Sequence, residues 1–73
     1  MYLADGKEKK SYRIEQIEEG RQIKIKLSTR GLIEGTVLRI IKNDGTGPII
    51  IGVMSSRISL GRGLCNKIKV KEI

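Results

Sequence analysis

Histidine, phenylalanine and tryptophan are absent from this 73-residue chain, which has only one proline, one cysteine and two tyrosines. Each shortage removes a class of function. Without histidine, the commonest general base and the commonest metal-binding imidazole are missing. With a single cysteine, Cys65, no internal disulfide can form, and no imidazole is present to activate the thiol. Cys65 therefore reads as a small buried apolar residue, and a reducing, cytoplasmic compartment is the expectation. Aromatics confined to Tyr2 and Tyr12 leave the later strands without the stacking platforms of single-strand nucleic-acid binders. For the same reason the aromatic groove that reads proline-rich peptides is missing. The longest apolar run, residues 48–54, is far short of the ~20 residues a membrane-spanning helix needs. Residues 1–10 are charged and do not resemble a signal peptide.

What is present is aliphatic, glycine-rich and basic. Seventy-three residues make one domain, and a chain of this size buries only about 60% of its unfolded surface, so the core must be small and tightly built. Isoleucine dominates the apolar set, and nine glycines punctuate it. That balance favours short strands and tight turns over a helical bundle. Fifteen Lys and Arg against eight Asp and Glu give a net charge of +7. Such a balance attracts nucleic acid, an anionic membrane face or an acidic protein surface, and it also suits plain solubility.

Residues 1–11 are polar, with Lys7, Glu8, Lys9 and Lys10 in succession, and are expected to form a flexible N-terminal segment ahead of a domain spanning 12–73. Tyr12 and Ile14 face one way in a first strand, residues 12–17. In residues 21–30, Ile23, Ile25 and Leu27 alternate with Lys24 and Lys26, which suits a strand. Ile23, Leu27 and Arg30 also recur at helical spacing, and Gly31 stands where a left-handed cap glycine belongs. The helix is preferred, because it explains Gly31 and the strand does not. Strands are expected over 36–42, then from Pro48 with Ile49, Ile51 and Val53 inward, then over 57–60 with Ile58 and Leu60 inward. A hairpin loop fills 43–47, and Ser55-Ser56 turns the chain. Residues 61–66 read as a short turn or single helical turn. A last strand over 67–72 has Ile68 and Val70 inward and Lys67, Lys69 and Lys71 outward. About five short strands with one short helix make a mainly β fold, an SH3-like, partly open β-barrel.

Two segments carry a family resemblance. Leu27-Ser28-Thr29-Arg30-Gly31-Leu32-Ile33-Glu34-Gly35 is similar to a helix ending in a Gly-Leu-x-Pro-Gly turn, with Glu34 at the usual proline. Gly47-Pro48-Ile49-Ile50-Ile51, then Arg57-Ile58-Ser59-Leu60, then Cys65 ahead of Ile68-Lys69-Val70 follow Gly-x-Pro-Ile-x-Ile, x-Leu-x-Leu and Ala-x-x-Ile-x-Val. This order resembles the FeoA family of bacterial ferrous iron transport proteins. Leu3-Ala4-Asp5-Gly6 resembles a shortened form of the family's opening turn. The resemblance implies an SH3-like barrel and a non-enzymatic accessory role in ferrous iron uptake, docking on the cytosolic GTPase part of the FeoB membrane transporter. It implies a cytoplasmic protein, with recruitment to the inner membrane face left open.

Family-level descriptions attach transition-metal binding to this domain, yet the one acidic cluster, Glu15, Glu18 and Glu19, reads as a solvated turn. No cofactor is required, and weak Fe2+ binding at carboxylates stays open. The glycine stretches at 44–47 and 61–63 lack the Lys-Ser/Thr ending of a phosphate loop and read as turns. Candidate partner contacts are the exposed Arg30, Arg57, Arg62 and Lys67, with Ile33 as an apolar anchor on the 31–35 turn. Gly31, Leu32 and Gly35 set that turn and the core. The rival reading is a small basic barrel that binds nucleic acid without sequence preference through Lys67, Lys69, Lys71, Lys24 and Lys26.

Overall fold

Alternation of aliphatic and polar residues builds one antiparallel sheet whose inner face is the core. The structure, a computed structural model, describes residues 1–18 and 20–73. After a 3-10 turn at Leu3–Asp5 come β1 (Ser11–Ile17), α1 (Arg21–Ser28), β2 (Val37–Lys42), β3 (Ile49–Val53), β4 (Ser56–Leu60), α2 (Arg62–Cys65) and β5 (Ile68–Glu72). The strands lie in the order β4-β3-β2-β1-β5, every neighbouring pair antiparallel. The end strands β4 and β5 do not pair with each other, so the barrel stays open. Register irregularities between Ile14 and Gln16 in β1 and between Ile40 and Lys42 in β2 bend the sheet around its contents.

Those contents are almost wholly aliphatic. Tyr12, Ile14 and Ile17 from β1, Leu38 and Ile40 from β2, and Ile49, Ile51 and Val53 from β3 are all buried. Leu60, Ile68 and Val70 complete the strand contribution, while Leu27, Leu32 and Cys65 close the barrel from the helices and turns. Each fully buried Leu or Ile contributes on the order of 1.5–3 kcal/mol. No buried polar side chain occurs among the described residues, so nothing dilutes that gain.

Residues 1–11 depart from the loose segment expected of them. Leu3 is fully buried and Ala4 nearly so, and the 3-10 turn packs against α2 and β5. Tyr2 forms an isolated bridge with Lys69, and the Val70 N–H donates to the Met1 carbonyl at 2.8 Å. Lys9 N–H donates to Ile40 O at 2.8 Å, and Ile40 N–H donates to Lys10 O at 3.0 Å, extending the β1–β2 ladder. Gly6 passes so close to the Ile40 side chain that a Cβ there would clash. A single leucine aimed at the core outweighs the polar context that made this end look unstructured. The domain thus begins well before Tyr12. Elsewhere the differences are small: the β3–β4 turn is Met54-Ser55, with Val53 opposite Ser56, and residues 61–66 contain the one-turn helix α2.

Candidate functional site

The 21–35 segment forms the most distinctive surface. Gly31 adopts φ +81°, a conformation that costs a side-chain-bearing residue roughly 1–2 kcal/mol. It lets Leu32 N–H donate to Leu27 O and Gly31 N–H donate to Ser28 O, both at 3.0 Å. These are the paired bonds of a Schellman cap, and Leu27 and Leu32 are both fully buried. Gly35 (φ +93°) then donates to Ile14 O at 2.7 Å. Thr36 Oγ1 accepts from Ile33 N–H at 3.1 Å and donates to Gly31 O at 3.2 Å, so the turn is stitched at both ends.

With Leu27 turned inward, α1 leaves Ile25 outward, and Ile25 and Ile33 of the stitched turn both line a groove of about 610 Å3. Both isoleucines are 55% exposed. Leu32 contributes to the floor, while Arg21, Lys24 and Glu34 stand at the rim. Lys24 Nζ lies 3.9 Å from Glu34 Oε2. An exposed pair of this kind contributes at most about 1 kcal/mol. Glu34, which replaces the family's proline, thus ties the turn to α1 electrostatically.

The remaining basic candidates do not converge on this groove. Arg30 is exposed at the end of α1. Arg57 lies on β4 and lines a second recess, away from the first. Arg62 is engaged within the chain: its Nε donates to Gly47 O at 3.1 Å and its Nη2 to Asn43 Oδ1 at 2.8 Å. Lys67 is half-buried ahead of β5, its carbonyl accepting from Glu18 N–H at 2.7 Å. Asn43 escaped the sequence reading altogether. Its Nδ2 donates to Ala4 O at 3.1 Å and Gly6 O at 2.7 Å, and its N–H donates to Glu8 Oε2 at 2.8 Å. Asn at the start of a glycine-rich loop was the available signal, because its oxygen also accepts from Gly45 N–H at 3.3 Å.

The chemistry on offer is narrow. Among the described residues no group of three or more His, Cys, Asp or Glu side chains could hold a metal ion. Of the acidic cluster, Glu19 lies outside the described residues. Glu18 accepts the Tyr2 hydroxyl at 2.8 and 3.0 Å and sits 3.6 Å from Lys69 Nζ. That carboxylate holds the Tyr2 hydroxyl protonated to higher pH than usual. Burial pushes the Cys65 thiol up to about 11, against a smaller opposing pull from Arg62. The 43–47 loop is a turn in which Asp44 Oδ1 accepts from Thr46 N–H at 3.2 Å. No helix among the described residues is long and apolar enough to cross a membrane.

Comparison with known proteins matches this arrangement. The family model described as "FeoA domain" covers residues 1–72, including the N-terminal turn. A curated relative from Methanocaldococcus jannaschii, "Putative Fe(2+) transport protein A", is 36% identical over 70 residues, covering 96% of this chain and 84% of its own. A crystal structure of "Iron Uptake Regulatory Protein (FeoA)" superposes with a TM-score of 0.94 at 26% identity, spanning 100% of this chain and 97% of that one. A "Manganese-dependent transcriptional repressor" also contains the fold: TM-score 0.88 at 17% identity over 100% of this chain and 41% of the repressor. That last likeness speaks for the fold alone. The capped helix, the stitched turn, the five-strand SH3-like sheet and a match running from the first residue to the last strand together make this chain a member of the FeoA family.

Proposed function

We propose that this protein is a non-enzymatic accessory component of ferrous iron uptake that acts by docking on the cytosolic GTPase part of a FeoB-type membrane transporter. Iron is cargo of the transporter in this reading, and this chain supplies a contact surface, working at the cytoplasmic side of the membrane. Family membership supports the transport context, as does the name of the relative from Methanocaldococcus jannaschii. The observation that carries the docking role is the groove between Ile25 and Ile33. Two half-exposed isoleucines line it together with Arg21 and Lys24. Exposed apolar residues held by a stitched backbone provide a preformed anchor, and preformation lowers the entropy lost on association.

Titration of the purified protein against the cytosolic GTP-binding part of its cognate transporter tests this. Saturable association is expected, and Ile33→Asp or Ile25→Asp should weaken it at least ten-fold while leaving the fold intact. Wild-type protein that shows no association at low salt would defeat the docking role. Binding untouched by both substitutions would move the interface off the groove.

A further inference from the structure

The outward face of the sheet carries a second surface. Register aligns Arg39 on β2, Gly52 on β3 and Arg57 on β4 in one row, and Arg13 of β1 stands between Val37 of β2 and Lys71 of β5 in the next. Strands lie ~4.8 Å apart, so the two arginines stand roughly 10 Å apart between Cα atoms on either side of Gly52, against which the Ile41 side chain packs. A recess of about 470 Å3 opens over that glycine, and Lys9, Arg39, Arg57 and Met54 all line it.

Arg13, Arg39, Arg57 and Lys71 have neither an ion pair nor a side-chain hydrogen bond among the described residues, as is true of most basic side chains here, but these four are gathered on one sheet face by the strand register. Of the carboxylates on these strands, Glu72 pairs with Lys10 at 3.7 Å and Glu15 stands at the β1 bulge. Two exposed apolar residues accompany the cations, Val37 at 45% beside Arg13 and Met54 at 99% on the β3–β4 turn. Met54 tops the β3–β4 turn with φ +54°, a strained value for a residue with a side chain.

We propose that this face binds an anionic phospholipid surface directly, with Arg13, Arg39, Arg57 and Lys71 on headgroup phosphates and Met54 dipping into the interface. A nucleic-acid backbone would satisfy the cations but leave Met54 and Val37 without an apolar partner, and no aromatic is placed here to stack on bases. An acidic protein surface would also meet arginines and a methionine, but it would need a pocket for Met54, which projects fully exposed from its turn, whereas a lipid interface takes a projecting side chain without one. Lipid uses both halves of the pattern, headgroup charge and acyl boundary. The inference stands apart from the transporter reading, because vesicles contain no protein.

Co-sedimentation of the full chain with vesicles of phosphatidylglycerol and phosphatidylcholine, against phosphatidylcholine alone, is the first test. Binding is expected only to the anionic vesicles, and to weaken as salt rises. Arg39→Gln and Arg57→Gln should each weaken it about five-fold, the equivalent of ~1 kcal/mol for each cation at an anionic surface. Lys26→Gln, the same charge change on α1, should have a much smaller effect. The chain has no tryptophan, so Met54→Trp gives a single reporter whose emission should shift to the blue on anionic vesicles. Equal losses in Lys26→Gln, binding without the shift, or tighter binding to single- or double-stranded RNA than to the vesicles at the same salt would each overturn the proposal.

Discussion

The Asn43 carboxamide donates to Ala4 and Gly6 and accepts from Gly45 and Arg62, while its own N–H reaches Glu8. One side chain thereby joins the N-terminal turn, the 43–47 loop and α2. Asn43→Ala would leave the Ala4 and Gly6 carbonyls and the Arg62 guanidinium short of partners. Leaving such groups unsatisfied costs about 1–3 kcal/mol, to be read as a fall in the urea midpoint at unchanged slope. Gly31→Ala, which forces a side chain into φ +81°, should cost roughly 1–2 kcal/mol by the same measurement. Cys65 sets a pH dependence. Its thiol is raised in the folded state to about 11 from an ordinary value of 9.0. The folded protein therefore holds this proton more tightly than the unfolded chain. The contribution is complete below pH 9 and declines as pH rises towards 11. Cys65→Ala should flatten the alkaline limb of the stability–pH curve, and native Cys65 should resist alkylation at pH 8 until urea exposes it. Glycine at 31 was readable from the sequence because a cap glycine is a local signal. The Asn43–Arg62 bond was not, since its partners are nineteen positions apart and meet only through the fold.

At the scale of elements, α1 and the N-terminal turn show two kinds of ambiguity. Ile23, Ile25 and Leu27 alternate as a strand would, yet Leu27 is buried, Ile23 half-buried and Ile25 exposed on a helix. The helix wins through its Schellman cap and the burial of Leu27 against Leu32. Ile25 then faces solvent, so one isoleucine both confused the pattern and formed the groove with Ile33. Ile33 itself could be placed outward from the turn. Its partner in the groove could not, because that depends on the packing angle of α1. The N-terminal turn was misjudged because a lone leucine among charged residues has no period to read. Leu3→Ala should cost about 2–5 kcal/mol, a core-sized loss from a position that looks peripheral. A midpoint within error of wild type would mean that this turn adds little to the fold. The row of Arg39, Gly52 and Arg57 was equally hidden, since it exists only once three strands are in register.

For the molecule as a whole, the mainly β, partly open SH3-like architecture followed from aliphatic alternation and glycine punctuation, and the inward positions of β3 and β5 fell where that alternation put them. What a one-dimensional pattern could not supply was the division of the surface. The groove at α1 and the cationic outer face draw on different elements, with Ile33 on one and Arg57 on the other. A domain this small has a few kcal/mol of stability to lose, so its parts should melt together. Far-ultraviolet and tyrosine signals should give coincident urea transitions in the wild type, and a separate early tyrosine phase would show that the N-terminal turn opens on its own.

Tyr12 gives that experiment its resolution. It is the one aromatic ring inside the barrel, and its hydroxyl accepts from Lys7 N–H at 2.9 Å, at the seam between the N-terminal turn and β1. In a molecule without phenylalanine or tryptophan, near-ultraviolet dichroism from a rigid environment comes from this ring and from Tyr2 beside Glu18. Tyr2→Leu would leave Tyr12 as a solitary optical gauge, reporting the tightness of a seam that no added label would have to disturb.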